Sequence, residues 1–303
     1  MRVEATVDSR LGLVNQVHSF DFERNFVAGL KRDERTAVVT CDTMRMERAV
    51  RKDVAYYLLK EHKVVGVEAN PALCAEVEAR FASEIADGRL VVLNCALSAD
   101  DSAGQVDFYI HNGNHVLSQV DRPDAEVLGD FHSIRVEARS PVSIIREYGE
   151  PRYVKVDLEG FDVQVLRAIF AAGIHPPEIS AESHSVDVFA CLVEEGYRSF
   201  NLVEGWSVDR VYGDATIKTP AGPRRFRFRP HSAGPFGEDV GGEWEDPDSF
   251  LHTLAAAGLG WKDIHASDLI APGPPPPFQA QMRREVTAIT RKLVRGVRSR
   301  FGG

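Results

Sequence analysis

Short apolar runs alternate with stretches of helical spacing along most of this chain. Thr36-Ala37-Val38-Val39-Thr40-Cys41-Asp42, Lys63-Val64-Val65-Gly66-Val67-Glu68 and Arg89-Leu90-Val91-Val92-Leu93-Asn94-Cys95-Ala96 are apolar enough for strands buried on both faces. Helical patterns lie between them. Asp53 can cap a helix through His62, with Val54, Tyr57 and Leu58 at helical spacing. Asn70-Pro71 opens a second helix, with Asn as N-cap and Pro at the first helical position. Leu73, Val77, Phe81 and Ile85 recur every four residues as its buried face, and Gly88 ends it. Strand, helix, strand, helix, strand predicts the βαβαβ half of a mostly parallel, doubly wound α/β sheet.

The pattern continues with strands over 105–110 and 133–138, separated in part by a Gly/Asn/Ser-rich loop at 111–119. Residues 141–148 form a short amphipathic helix leading into Tyr153-Val154-Lys155-Val156. That strand delivers Asp157 and Glu159 at its end, and Gly160 breaks it. Asp162 can cap the next helix, whose apolar positions are Val165, Leu166, Ile169 and Phe170. A strand over 176–182 again ends in an acid, Glu182. A helix over 186–195, closed by Gly196, and a strand over 197–203 follow, and 225–228 reads as the last strand. Residues 231–239 have the composition of a mobile loop or lid, and 251–257 of a helix. Residues 274–277 are a proline run, hence a stiff spacer. In the first 35 residues Leu11, Leu13, Val14 and Val17 suit a helix or a short strand equally.

Composition narrows the class. At 303 residues, 44% apolar and 27% charged, the chain can bury a large core without metal or disulfide. Cys41, Cys74, Cys95 and Cys191 are far apart with no CxxC spacing, so buried inert thiols and a reducing cytoplasm are expected. The first residues lack the apolar run of a signal peptide, and no window approaches 18 uninterrupted apolar residues. A net charge of −9 argues against nucleic acid as a partner. The last 25 residues differ, with seven Arg or Lys against one Glu. Their apolar set, Met282, Val286, Ile289, Leu293, Val294 and Val297, suits a basic helix making weak contact with an anionic membrane surface. A solvated or disordered tail is the competing reading.

Acids at strand ends are where open α/β sheets bind ligands. Glu68, which ends the second strand, can accept two hydrogen bonds from a ribose diol, or it can be a solvated helix-cap acid. Asn94 and Ala96 lie where an adenine would pack. No GxGxxG follows a strand, which disfavours a nicotinamide dehydrogenase.

Lys155-x-Asp157-x-Glu159-Gly160 followed by an apolar helix resembles the FkbM-type S-adenosylmethionine-dependent methyltransferases. Val64-Val65-Gly66-Val67-Glu68-Ala69-Asn70-Pro71, Asn94-Cys95-Ala96-Leu97-Ser98, Phe108-Tyr109 and the strand ending at Glu182 match in order. Asp53-Val54-Ala55-Tyr56-Tyr57-Leu58 and the 232–239 loop look like one branch of that family. The resemblance implies a Rossmann-like class I methyltransferase, with an antiparallel strand near the C-terminal end of its mostly parallel sheet. It divides the chain into an N-terminal extension (1–35), an FkbM-like domain (36–270) and a Pro-rich linker with a basic helix or tail (271–303). It implies S-adenosylmethionine as cofactor and methyl transfer to a hydroxyl of a sugar, glycan or natural product.

By match of position, Glu68 would hold the ribose, Asn94 and Ala96 would border the adenine, and Asp42 and Asn70 complete the cofactor side. Asp157 and Glu159 would face the sulfonium or the acceptor, and a cation is favoured beside carboxylates at low dielectric. The acceptor hydroxyl must lose a proton, and Asp157, Glu182 and His184 are the candidate bases. His184 also fits a helix-capping or surface role, and Glu159 a structural role in its turn. Asp157, Glu159 and Glu182 would also suit a divalent cation such as magnesium.

One departure matters. The family places two glycines after its first strand, and here those positions fall on Glu47 and Arg51, in a stretch with no glycine between Gly29 and Gly66. Glycines there let the backbone approach the cofactor. The departure fits a non-catalytic binding protein that keeps the fold, a rerouted loop that still binds, or a local reading-frame error.

Overall fold

The computed structural model describes residues 36–40, 50–99, 101–113, 118–158, 160–230 and 232–274, all within one unit, Glu34–Gly303. The N-terminal extension, residues 41–49 with Cys41 and Asp42, Glu159, and the basic tail lie outside the described residues.

The first described elements are β1 (Thr36–Thr40), α1 (Val50–Leu59), β2 (Lys63–Glu68), α2 (Pro71–Arg80) and α3 (Ala82–Ala86). β3 (Leu90–Leu97), β4 (Gln105–His111) and β5 (Phe131–Arg139) follow. Then come α4 (Pro141–Tyr148), β6 (Tyr153–Val156), α5 (Asp162–Ala171), β7 (Glu178–Ser183) and α6 (Val186–Glu194). β8 (Ser199–Glu204) leads to α7 (Val208–Val211) and a small antiparallel pair, β9 (Ala215–Ile217) and β10 (Arg224–Phe226). α8 (Pro247–Ala257) and β11 (Gly260–Ser267) complete the set.

The main sheet runs β4-β5-β3-β2-β1-β6-β7-β11-β8. β3, β2, β1, β6 and β7 are parallel neighbours, β4 is antiparallel to β5, and β11 is antiparallel to both β7 and β8. The expected βαβαβ half and a late antiparallel strand are both present. The late strand is not where the pattern put it. Residues 224–226 belong to the separate pair, and Gly260–Ser267 enters the main sheet. Its polar residues Asp263, His265 and Ser267 hide the apolar alternation of Ile264 and Ala266.

Local signals explain most helix boundaries. Asn70 Oδ1 accepts from Ala72 N at 3.0 Å, capping α2, and Leu73, Val77 and Phe81 are buried. Asp53 departs from its expected role as a cap. α1 begins at Val50, and Asp53 sits in its first turn, accepting from Ser232 Oγ and from Ala233 N at 2.9 Å. Asp162 is likewise the first residue of α5 rather than its cap, which is Phe161.

The two faces of the sheet differ in chemistry. Val154, Val156, Ile179, Ala181, Ile264 and Ala266 point to one side and pack against Val165, Leu166 and Ile169 of α5, Leu192 of α6 and Phe250 of α8. Each fully buried aliphatic side chain there contributes about 1.5–3 kcal/mol. The alternate residues, Tyr153, Lys155, Ser180, Glu182, Asp263 and His265, are also buried, although they are polar. α1 and the segment after β10 cover them. Within that segment Phe236 stacks on Tyr153 at 4.1 Å and 10°. Asp239 accepts from Tyr56 OH at 2.8 Å and pairs with Lys60 at 2.6 Å. The expected lid is thus packed onto the sheet through residues 232–239.

Candidate active site

Register puts the acids on one level. Glu68 pairs with Asn94 and Asp263 with Glu182. Gly66 and Lys155 both pair with Val39, so Glu68 and Asp157, each two residues further along, stand at the same height and on the same face. Asp157 follows the Val156–Ala181 pair and so neighbours Glu182. Asn94, Glu68, Asp157, Glu182 and Asp263 therefore line the carboxyl edge on the polar face.

Each is held differently. Glu68 is 1% exposed, and its carboxylate accepts from Asn70 N. Asn94 Nδ2 donates to the carbonyls of Glu68 and Ala69 at 2.9 and 3.0 Å, which ties the ends of β2 and β3 together. Ala96 is buried in a small cluster with Ala69, Phe108, Ile110 and Val136, so it forms part of that wall. Among the described residues, Asn70 Nδ2 is buried with no hydrogen-bond partner.

Sequence reasoning gave Lys155 no role of its own, yet it organises the acidic edge. Its Nζ lies 2.8 Å from Asp263 Oδ1 and 3.4 Å from Asp157 Oδ2. Burial disfavours its charge, but Asp263 and Asp157 outweigh that and hold its pKa well above the ordinary lysine value. The ammonium supplies positive charge beside Asp157, one of the acids whose sequence pattern also suits a divalent cation. Among the described residues no group of three His, Cys, Asp or Glu side chains is placed to hold a metal ion.

The same cation and burial act on neighbours. Burial first, then Lys155, lower the pKa of His265 to about 3, so this ring is neutral. Burial pushes Asp53 up to about 6, against the pull of Ser232, Ala233 and Lys155. Asp53 and Asp263 were also missed. Asp53 carried a capping signal that concealed its use, and Asp263 lies on the strand whose pattern was hidden.

At the end of β7, Glu182 Oε2 sits 2.9 Å from His184 Nε2. Glu182 is 1% exposed, whereas the His184 side chain is 29% exposed. A buried carboxylate thus orients an imidazole that reaches toward solvent. Such a pair can take a proton from a bound hydroxyl, with the carboxylate stabilising the imidazolium that forms.

The turn after β6 needs glycine at 160, where φ is +101°. Asp162 Oδ2 accepts from Gly160 N at 3.2 Å and fastens this turn. Burial, then Asp157, push Asp162 from 3.8 up to about 6. A carboxyl raised on folding adds stability below its unfolded pKa, and that stability is lost as pH rises through its folded value. Asp162→Asn should therefore melt like the parent at pH 4 and gain about 2–3 kcal/mol by pH 7. Denaturant melts across that range test it, and a gain independent of pH would refute the charge argument.

Cys74, Cys95 and Cys191 are buried free thiols, and burial pushes Cys74 up to about 12 and Cys95 up to about 11. Among the described residues no helix is long and apolar enough to cross a membrane.

The family model described as methyltransferase FkbM domain matches residues 38–199. A solved methyltransferase FkbM from Methylobacillus flagellatus KT is 16% identical, with a TM-score of 0.36, over 59% of this chain and 43% of that one. The chain thus spans less than half of that relative. A precorrin-6y C5,15-methyltransferase from Geobacter metallireducens GS-15 is 10% identical, with a TM-score of 0.32, over 76% of this chain and 78% of that one. No curated protein matches.

Proposed function

The chain belongs to the FkbM methyltransferase family, and from that membership we propose that it moves a methyl group from S-adenosylmethionine to a hydroxyl of a sugar, glycan or natural product. The observation that carries this reading is the level row of Glu68, Asp157 and Glu182 at the carboxyl edge of parallel strands. The order β3-β2-β1-β6-β7, followed by the reversed strand β11 and then β8, is the arrangement proposed here as a class I methyltransferase sheet.

The residues present fit such a cofactor. Glu68 suits a ribose diol, and Asn70 Nδ2 beside it, buried and without a partner among the described residues, is a donor awaiting an acceptor. Asp157 presents negative charge where a sulfonium would be favoured. When bound, the cofactor supplies an electrophilic methyl group. The chain's own task is then to orient the hydroxyl and remove its proton, which is assigned to His184 held by Glu182. Asn94 and Ala96 support the β2–β3 wall of the cofactor side. Asp42 and Glu159 remain proposed contributors outside the described residues.

Of the two positions where the family has glycine, Glu47 lies outside the described residues, and Arg51 lies in the first turn of α1. A helix there leads the chain to the sheet without a glycine turn at 51. Calorimetry of the intact chain with S-adenosylhomocysteine should show binding, weakened about 10- to 100-fold by Glu68→Gln. No binding by the parent chain would favour the reading of a non-catalytic protein that keeps the fold.

A further inference from the structure

Past the Glu182–His184 pair, the same edge of the sheet carries two tryptophans. Gly260 pairs with Ser183 and Asp263 pairs with Glu182, so β11 has extra residues between these rungs. Such a bulge re-aims a side chain beside a site. Here the side chain in the bulge is Trp261, next in space to the end of β7. Ser183 Oγ donates to the Gly260 carbonyl at 3.0 Å and pins the bulge.

Gly205, just beyond β8, receives the Trp261 ring. A Cβ at 205 would fall 2.2 Å from Trp261 Nε1, so only glycine lets the ring lie there. The next residue, Trp206, meets Trp261 at 4.5 Å with an interplanar angle of 71°. Trp206 is 75% exposed, the most exposed of the large hydrophobic residues described. Two indoles in contact, one of them open to water, offer an apolar surface that a ligand can cover.

We propose that Trp206 and Trp261 form the platform on which a pyranose ring of the acceptor sits, with a hydroxyl directed to His184. This deepens the function proposed above and rests on it for the identity of the reaction. The shape favours a sugar over a flat aromatic acceptor. Two indoles at 71° make a corner, which suits the C–H face of a chair-shaped ring, whereas a flat ring is held best between parallel walls. The negative face of an indole attracts the weakly positive C–H bonds of a sugar. The polar groups alongside, Glu182, His184, Glu204 and Lys262, can meet its hydroxyls.

The test uses the full chain and saturation-transfer NMR, with irradiation of upfield protein methyl protons, away from the resonances of every probe. The probes are the methyl pyranosides of glucose, galactose, mannose and rhamnose, and phenol. At least one pyranoside should receive transfer, strongest on one C–H face. Trp206→Ala and Gly205→Ala should weaken that pyranoside about three- to tenfold. Both variants should bind S-adenosylhomocysteine like the parent in calorimetry. Silence from all four pyranosides, equal binding in Trp206→Ala, or binding of phenol alone would overturn the platform. Loss of S-adenosylhomocysteine binding in the parent would instead count against the methyltransferase reading, while the pyranoside result still judges the platform.

Discussion

Lys155→Met is expected to destabilise the fold by about 3–5 kcal/mol, because it strips the counter-charge from Asp263, a carboxylate almost fully shielded from water. Lys155 is 2% exposed, and Asp263, its partner at 2.8 Å, is 6% exposed. The pair need not add net stability over an apolar pair, since desolvation offsets much of the attraction. Removing one member is different, because an uncompensated charge remains in the core. Adding Asp263→Asn to Lys155→Met should therefore restore much of the loss, and urea melts of the single and double variants measure the coupling. A Lys155→Met protein within about 1 kcal/mol of the parent would contradict the assigned network. Asp157 gives the network a second consequence. It loses a cation 3.4 Å away, so its charge becomes less favourable at the very edge assigned to the cofactor.

The second large effect concerns rate. Glu182→Gln and His184→Ala should each lower kcat for methyl transfer to the acceptor glycoside by about 10²–10⁴. Affinity for S-adenosylhomocysteine should stay within about twofold, since neither residue is placed on the cofactor side of the edge. The two act as a unit, with Glu182 Oε2 fixing His184 Nε2 at 2.9 Å. The double variant should then be hardly slower than either single one. Multiplying effects would mean that the carboxylate and the imidazole serve separate steps. An unchanged rate in His184→Ala would move the base to Asp157 or Glu182.

Several candidate site residues are legible because their signals are local. An apolar run that ends in an acid marks Glu68, Asp157 and Glu182 wherever the strands later pair. Asn70-Pro71 announces the start of α2, and the capping bond is formed as expected. Other contacts span distances that no local pattern encodes. Lys155 and Asp263 are 108 positions apart, and Asp53 and Ser232 are 179 apart. Asp53 has the composition of a helix cap, yet the tertiary fold uses it to fasten the segment over the sheet. The closing strand was missed because its buried face is polar, so that Asp263 and His265 interrupt the alternation that normally reveals a strand.

The sequence by itself determined the family, the strand-helix alternation and the acids at the strand ends, since side-chain spacing and turn chemistry act over a few residues. Only the tertiary structure decided that these acids share one level, that Lys155 pairs with one of them, Asp157, and with Asp263 from the far end of the chain, and that Trp206 and Trp261 meet beyond them. Those relations follow from strand register and from the reversed direction of β11, which join residues that the chain keeps far apart.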